Sequence, residues 1–270
     1  MNAGIHGDSK LARLYGARRI WAVAAIHGEA DRLARLHDRI AGRFAEGDAI
    51  VYLGNYIGLG SAIGATLDEL IDFRRRILAR PRGFLCDIVF LRGAQEEMWQ
   101  KLLQLQFASN PGEVLNWMVR AGIETTVQAY GGELRQGFAA TRDGPRAITR
   151  WTSALRTAMN AAEGHTQLFA ALRHAAISED DGLLFVHAGI DPSRPLAAQG
   201  DAFWWNERDI VDLPKPFAGF RRVVRGFERE RRGIVEGEFG VSIDGGAGRG
   251  GRLLAVAVAL DGTIAEVLDA

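Results

Sequence analysis

IWAVAAIHG, residues Ile20–Gly28, is a short apolar run that ends in a glycine-bearing loop. Two later stretches have the same layout, VYLGNYIGLGS at Val51–Ser61 and VFLRGAQEE at Val89–Glu97. Apolar residues at helical spacing follow each of the first two runs, so strands alternate with helices. This alternation predicts an α/β fold with a parallel sheet, in which the loops collect at the carboxyl ends of the strands.

The rest of the chain extends this pattern in both directions. The predicted strands are Arg19–Ile26, Ala49–Leu53, Phe84–Leu91, Gly182–His187 and Arg221–Val224, followed by three closing antiparallel strands at Gly240–Ile243, Gly251–Leu260 and Thr263–Leu268. Helical periodicity dominates from about 97 to 175. We interpret residues 18–270 as a single domain and residues 1–17, which are mixed and polar, as a flexible N-terminal tail.

Composition excludes several classes of function. Lys plus Arg and Asp plus Glu both number 33, so no net field favours nucleic acid or an anionic membrane. The longest apolar run, Leu253–Leu260, is too short to span a bilayer as a helix. Cys86 is the single cysteine and is expected to be a buried thiol, which indicates a reducing cytoplasm.

The three loops resemble the motifs of a known superfamily, the calcineurin-like metallophosphoesterases. The similarity is greatest to its bacterial serine/threonine protein phosphatase and diadenosine tetraphosphatase branch. That branch has GDIHG, GDYVDRG and GNHE where this chain has AAIHG, GNYIGLG and GAQE. FVHAGIDP at Phe185–Pro192 and IDGGAGRGGRL at Ile243–Leu253 extend the similarity to nearly the whole chain. The resemblance implies a β-sandwich flanked by helices, with a helical cap insertion at about 97–175.

The resemblance also implies a site for two divalent metals such as manganese, about 3.5–4 Å apart and bridged by a carboxylate. His27 and His187 stand at two ligand positions and are kept. The first carboxylate, the bridging carboxylate, an asparagine and two histidines of the family are replaced here by Ala25, Asn55, Ala94, Arg225 and Phe227.

The remnant ligands His27, Asn55 and His187 carry no negative charge, so we expect no metal and no other cofactor. An arginine at position 225 near the histidines would repel cations further. A single soft metal on the two histidines is an alternative, although structural zinc usually has four ligands. Each histidine alone is also typical of a hydrogen-bonded core residue.

The catalytic groups implied by the resemblance are missing as well. The general-acid histidine is Gln95, its partner aspartate is Gly58, and the phosphate-binding arginine of the second motif is Leu59. A second arginine aligns with Glu207, or with Arg208 if the alignment is shifted by one residue. No position in this set is expected to be catalytically functional.

The leading hypothesis is a pseudophosphatase, a protein of this fold that acts by binding and has a degenerate active site. Its ligand would be an unknown protein or small molecule in a neutral, partly apolar cleft; the predicted lining is Ala25, Asn55, Leu59, Gln95 and Phe227. A homo-oligomer, or a subunit that stabilises an active paralogue, is compatible with this hypothesis. The aromatic pair Trp204-Trp205 is expected to serve packing rather than ligand binding.

The alternative is an active phosphoric-ester hydrolase, of the protein phosphatase or dinucleoside tetraphosphatase type, with a rearranged site. It requires replacement carboxylates, and the candidates next to the motif positions are Glu29, Glu96 and Asp191.

Overall fold

A computed structural model of the chain describes residues 10–81 and 83–270. The strands in these ranges are β1 (Leu11–Leu14), β2 (Arg19–Val23), β3 (Asp48–Tyr52), β4 (Ile88–Phe90), β5 (Ala175–Ser178), β6 (Leu183–Val186), β7 (Arg222–Arg225), β8 (Gly233–Glu236), β9 (Gly240–Asp244), β10 (Leu254–Ala259) and β11 (Ile264–Asp269). The α-helices are α1 (Ala30–Ala41), α2 (Ile63–Leu78), α3 (Ala94–Leu102), α4 (Pro111–Arg120), α5 (Glu124–Ala129), α6 (Leu134–Asp143), α7 (Pro145–Ala161), α8 (His165–Ala170) and α9 (Ala202–Trp205).

The strands form two sheets, with orders β1-β5-β6-β7-β9-β8 and β11-β10-β2-β3-β4. The alternation of side chains along β2 explains how the layers pack. Ile20 and Ala22 lie in an apolar cluster with residues of the other sheet, whereas Trp21 and Val23 pack in the cluster that holds the helices. The predicted α/β sandwich with flanking helices is therefore confirmed.

The three quoted stretches form the parallel part of the second sheet, as predicted. β2 pairs with β3 and β3 pairs with β4, both in parallel. The third strand is shorter than expected because a 3₁₀ turn at Leu85–Asp87 precedes it. Asp87 accepts a hydrogen bond from the Phe84 amide at 2.7 Å, which stabilises the turn. Cys86 lies in this turn and is only partly buried, so the prediction of a buried thiol was wrong.

The first sheet differs from the prediction at its edges. Residues 11–14 form β1, which pairs in parallel with β5, and Leu14 is fully buried. The flexible tail predicted over 1–17 is therefore wrong for this segment, and residues 1–9 lie outside the described residues. β5 and β8 were not predicted, because their sequences AAIS and GIVE are not continuous runs of large apolar residues, unlike LLFV in β6. β9 is parallel to β7 in this sheet, whereas β10 and β11 close the other sheet in antiparallel order.

Helices α3 to α8 form the cap between β4 and β5. Their apolar faces share one cluster with α1, α2 and the second sheet. Trp99 of α3 is fully buried and stacks on Tyr130 with ring centroids 5.2 Å apart. The cap is thus packed onto the sheet edge where the β2, β3 and β4 loops lie. Among the described helices, none has the length and apolar character to cross a membrane.

Candidate functional site

Loops from both sheets meet at one edge of the sandwich. The Ala25 amide donates to the Gly226 carbonyl at 3.0 Å, and the Gly226 amide donates to the His187 carbonyl at 3.1 Å. The His27 amide donates to the Asn55 carbonyl at 2.7 Å. These bonds join the loops after β2, β3, β6 and β7. The positions singled out by the resemblance are therefore neighbours in space, as predicted.

A cleft of about 440 Å³ opens at this edge. It is lined by His27, Asn55, Leu59, Ala94, Gln95, Met98, Trp117, Ala121, Trp204, Trp205, Glu207, Phe227, Glu228, Arg229, Arg231 and Arg249. Ala25 was predicted to line it, but it is 1% exposed and lies in the packed interior. Trp204 and Trp205 pack against apolar clusters, as expected, and both also contribute to the wall of the cleft.

The cleft is built on an unusual backbone. Six non-glycine residues of the described chain have positive φ, and four of them line this cleft: His27, Asn55, Leu59 and Arg231. A side chain in this conformation costs about 1–2 kcal/mol, so surrounding contacts must hold it. Strained residues of this kind concentrate at functional sites. The concentration of strain supports the assignment of this cleft as the functional one.

Glu96 joins the second and third loops. Its carboxylate accepts hydrogen bonds from the backbone amides of Asn55, Tyr56 and Gly93 at 2.8–2.9 Å, and from that of Ile57 at 3.3 Å. The side chain is fully buried, and burial raises the pKa of its carboxyl group while the four donors oppose that change. The Glu96 carboxylate is thus fully used in hydrogen bonds to backbone amides, and it is not available as a replacement catalytic group.

Asn55 presents its amide in the orientation least suited to a cation. Its Oδ1 accepts the Gln95 backbone N–H at 2.9 Å, so that oxygen is occupied at the start of α3. Its Nδ2 lies 3.4 Å from His27 Nε2. The residue therefore points N–H donors, and not lone pairs, toward the remaining histidine.

Both retained histidines are buried and neutral. His187 Nδ1 donates to the Leu53 carbonyl at 2.6 Å, and the Phe227 ring stacks on the imidazole at 5.2 Å. Burial lowers the pKa of His187 to about 4. The pKa of His27 falls to about 3, first through burial, then through repulsion from His187 when that residue is protonated, and from the charges of Arg249 and Arg231.

These depressed pKa values predict an acid-sensitive fold. The unfolded chain takes up protons at these histidines near pH 6.5 and the folded chain does not, so stability falls as the pH drops from 6.5 toward 4. His187 alone accounts for roughly 3 kcal/mol of this loss. Urea unfolding at successive pH values measures it. His187→Asn keeps a donor for Leu53 but cannot titrate, so its slope should be shallower; an unchanged slope would contradict the assignment.

Gln95 and Gly58 are still in contact, although neither carries the histidine or aspartate side chain that the resemblance implies at its position. A Cβ atom at position 58 would lie 2.3 Å from Gln95 Oε1, so the glutamine occupies the space that a side chain there would need. Gln95 Nε2 donates to the Ala121 carbonyl of the cap at 2.8 Å. Neither residue can act as a general acid, and Gln95 instead joins α3 to the cap.

Arg225 does not face the histidines, contrary to the prediction. It is 2% exposed and donates to Ser242, to the Arg208 carbonyl, to Asp209 and to Glu228, at 2.7–3.1 Å. Two carboxylates neutralise its charge, so it makes no contribution to repulsion at His27 or His187. The guanidinium group is held away from the histidines because the carboxylates of Asp209 and Glu228 accept its hydrogen bonds.

The positive charge near His27 comes from two arginines that are not among the positions singled out by the resemblance. Arg231 and Arg249 line the cleft, and both depress the pKa of His27. Within the described part of the chain, no ion pair or hydrogen bond joins either guanidinium group to an acceptor. The prediction of a neutral cleft was therefore wrong.

The acidic residues of the site are already paired. Glu207 lies 3.4 Å from Arg229, and Glu228 forms ion pairs with Arg225 and Arg232 at 2.7 and 2.8 Å. Glu207, not Arg208, lines the cleft, so a shifted alignment does not restore the missing arginine.

The three replacement carboxylates of the alternative hypothesis do not line the cleft either. Glu29 pairs with Arg32, Glu96 binds backbone amides, and Asp191 binds Ser193 and Arg194.

This donor set does not fit a pair of divalent cations. Hard cations need anionic oxygen ligands. The cleft instead offers His27, the Asn55 amide with its N–H group directed toward that histidine, and two guanidinium groups without an ion-pair partner in the described part of the chain. In the described residues, no group of three or more His, Cys, Asp or Glu side chains is close enough to hold a metal. The side chains of the cleft are therefore unsuited to the metal pair that the resemblance implies.

Comparison with solved structures identifies the fold. The chain resembles a putative diadenosine tetraphosphatase with a TM-score of 0.58 and 17% identity, covering 97% of both chains. It also resembles a cold-active protein-tyrosine phosphatase from a psychrophilic Shewanella species, with a TM-score of 0.55, 14% identity and coverage of 96% and 82%. A protein serine/threonine phosphatase from Saccharomyces cerevisiae gives a TM-score of 0.51, 12% identity and coverage of 97% and 82%.

No protein-family model matches the sequence, and no curated protein matches it either. Identities of 12–17% establish the architecture and leave the activity open. These similarities cover 96–97% of this chain, so both sheets and the cap fall within the range that is compared. The chain therefore has the calcineurin-like metallophosphoesterase fold.

Proposed function

We propose that this protein is a pseudophosphatase: it keeps the phosphatase-like fold and cleft but acts by binding a ligand or partner there, without hydrolysis. One observation carries the proposal. Where a dinuclear site needs bridging anionic oxygens, Asn55 turns its Nδ2 toward His27, with its Oδ1 already bound to the Gln95 amide. An activated hydroxide requires a metal-bound water, and nothing in this arrangement would hold that metal.

The loss of the other groups supports the same proposal. Ala94 and Gln95 line the cleft where the resemblance implies a ligand and a general acid. Removal of a single preorganised charge stabiliser commonly costs about 10²–10³ in rate. Replacement of the metal ligands, the general acid and the phosphate-binding arginine together would remove the mechanism. A cytoplasmic location is proposed with it, since the one cysteine, Cys86, allows no disulfide within the chain.

Metal content and turnover test this proposal together. We expect the purified protein, dialysed against manganese, to hold much less than one ion per chain and to release no product from p-nitrophenyl phosphate above background. The double variant His27→Ala/His187→Ala is the control. Its rate of p-nitrophenyl phosphate hydrolysis should equal that of the wild-type protein. If the wild-type protein bound one or more manganese ions per chain and hydrolysed the substrate, and the double variant did not, the protein would be a hydrolase with a rearranged site instead.

A further inference from the structure

Two arginines of the cleft are unlike the other arginines around them. Arg225, Arg229 and Arg232 each form an ion pair with a glutamate or an aspartate. Arg231 and Arg249 are exposed and, among the described residues, form no ion pair or hydrogen bond through their guanidinium groups. The cleft therefore carries two guanidinium groups that no direct ion pair in this part of the chain neutralises, although the charge of Arg231 also acts on the buried Asp244, where it opposes the rise in the carboxyl pKa that burial causes.

A second part of the lining is aromatic. Trp117 of α4 in the cap is 41% exposed, which is unusual for a tryptophan. It lies against Trp205 of α9, with ring centroids 5.7 Å apart and planes tilted by 60°. The two rings come from different parts of the chain and form an apolar surface in the same cleft.

The lining also contains polar atoms that lack partners. Gln95 and Trp204 are 5% and 4% exposed, and both line the cleft. Gln95 Oε1 and Trp204 Nε1 are buried with no hydrogen-bond partner in the described residues. Buried polar atoms are nearly always paired in folded proteins, so each such atom indicates a missing partner. Both atoms are closed off from solvent, so a bound molecule would first meet the exposed arginine and tryptophan side chains of the lining.

We propose that the cleft binds a small organic anion that carries an aromatic ring. Arg231 and Arg249 hold the anionic group, and Trp117 and Trp205 contact the ring. Guanidinium groups bind carboxylate and phosphate oxygens in a bidentate manner, and aromatic rings gain from offset or edge contacts. A volume of about 440 Å³ falls within the range of small-molecule sites. This proposal rests on the proposed function in that the ligand is bound and not hydrolysed.

Four probes separate the two parts of the ligand. Isothermal titration calorimetry compares phenyl phosphate and benzoate, which combine a ring with an anion, with methyl phosphate and phenol, which have one feature each. We expect the better of the first two to bind at least about tenfold tighter than either single-feature probe. Which of phenyl phosphate and benzoate binds more tightly shows whether the site prefers a phosphate or a carboxylate group. Equal binding of methyl phosphate would overturn the role of the aromatic surface, and no binding of any probe would overturn the proposal.

Matched arginine variants locate the anion. Arg231→Gln and Arg249→Gln should each weaken binding about tenfold, and the double variant about 100-fold, because each removes a charge-assisted hydrogen bond. Arg229→Gln is the control: it lines the same cleft but is neutralised by Glu207, so affinity should change by less than about threefold. Melting curves establish that the variants are folded. Unchanged affinity in the folded double variant would overturn the proposal.

Recovery of intact phenyl phosphate after the titration separates this proposal from the proposed function. Release of phenol with manganese present would contradict the pseudophosphatase assignment. The role of Arg231 and Arg249 in binding the anion would still be tested by the affinities of the arginine variants. Failure of every probe to bind, with no hydrolysis, would remove the ligand proposal and leave the pseudophosphatase proposal standing.

Discussion

Replacement of Glu96 by alanine is expected to lower the free energy of unfolding by about 4 kcal/mol. The substitution leaves four backbone amides of the second and third loops, those of Asn55, Tyr56, Ile57 and Gly93, without their acceptor. Each buried donor that loses its partner costs about 1 kcal/mol or more. Urea unfolding at pH 7 measures the change, and the carboxylate oxygens, not the methylene groups, are expected to carry most of it.

Glu97 provides a matched control on the next residue of the same helix. Its side chain is also buried, but its carboxylate pairs only with side chains, Arg92 at 2.8 Å and the half-exposed Lys101 at 3.2 Å. Glu97→Ala leaves no backbone amide without an acceptor and should therefore cost about 2 kcal/mol or less. Glu96→Gln retains one acceptor oxygen and should fall between the two alanine variants. Equal losses for Glu96→Ala and Glu97→Ala would show that the backbone bonds do not hold the loops together.

Restoration of the replaced ligands is expected to create a strong binding site for manganese. The variant combines Ala25→Asp, Asn55→Asp, Ala94→Asn, Gln95→His and Phe227→His. We expect it to bind manganese at least about 100-fold more tightly than the natural chain, because it adds two carboxylates to the histidines already present. Calorimetry at pH 7.5, where the histidines are neutral, measures the affinity.

The backbone supports this outcome at two positions. An aspartate at 55 can still accept the backbone amide of residue 95 that Asn55 accepts now at 2.9 Å, and its φ of +54° suits aspartate. The amide of Ala25 is held 3.0 Å from the Gly226 carbonyl, which fixes the first and last motifs together. The same variant with His27→Ala and His187→Ala added is the control and should lose the gain. A folded variant without bound manganese would show that Arg231 and Arg249 repel the ions strongly enough to prevent binding.

The order of strands and helices around the site was predictable because it depends on local patterns. The run at Ile20–Gly28 alternates between two apolar environments, and its glycine loop follows directly. The strands at 11–14 and 233–236 escaped prediction for the opposite reason. Their sequences, LARL and GIVE, contain no continuous apolar run, and each strand obtains its stability from a partner strand elsewhere, β5 for the first and β9 for the second.

The charges of the site were less predictable than its residues. Arg225 was expected to face the histidines, but Asp209 and Glu228 hold it elsewhere. Arg231 and Arg249 are not among the positions singled out by the resemblance, yet they line the cleft. Linear spacing does not reveal which carboxylate neutralises which arginine, since the partners are chosen by the packing of separate loops.

The sequence alone determined which chemical groups this cleft can contain. Ala25, Ala94 and Phe227 have no donor atoms in their side chains in any conformation, so their identity settles what they can ligate. Only the tertiary structure decided how the polar groups that remain are directed. Asn55 turns its Nδ2 toward His27 because the Gln95 amide, 40 residues away in the chain, occupies its oxygen. Orientation and net charge follow from contacts between distant segments, and those contacts exist only once the sheets and the cap have packed.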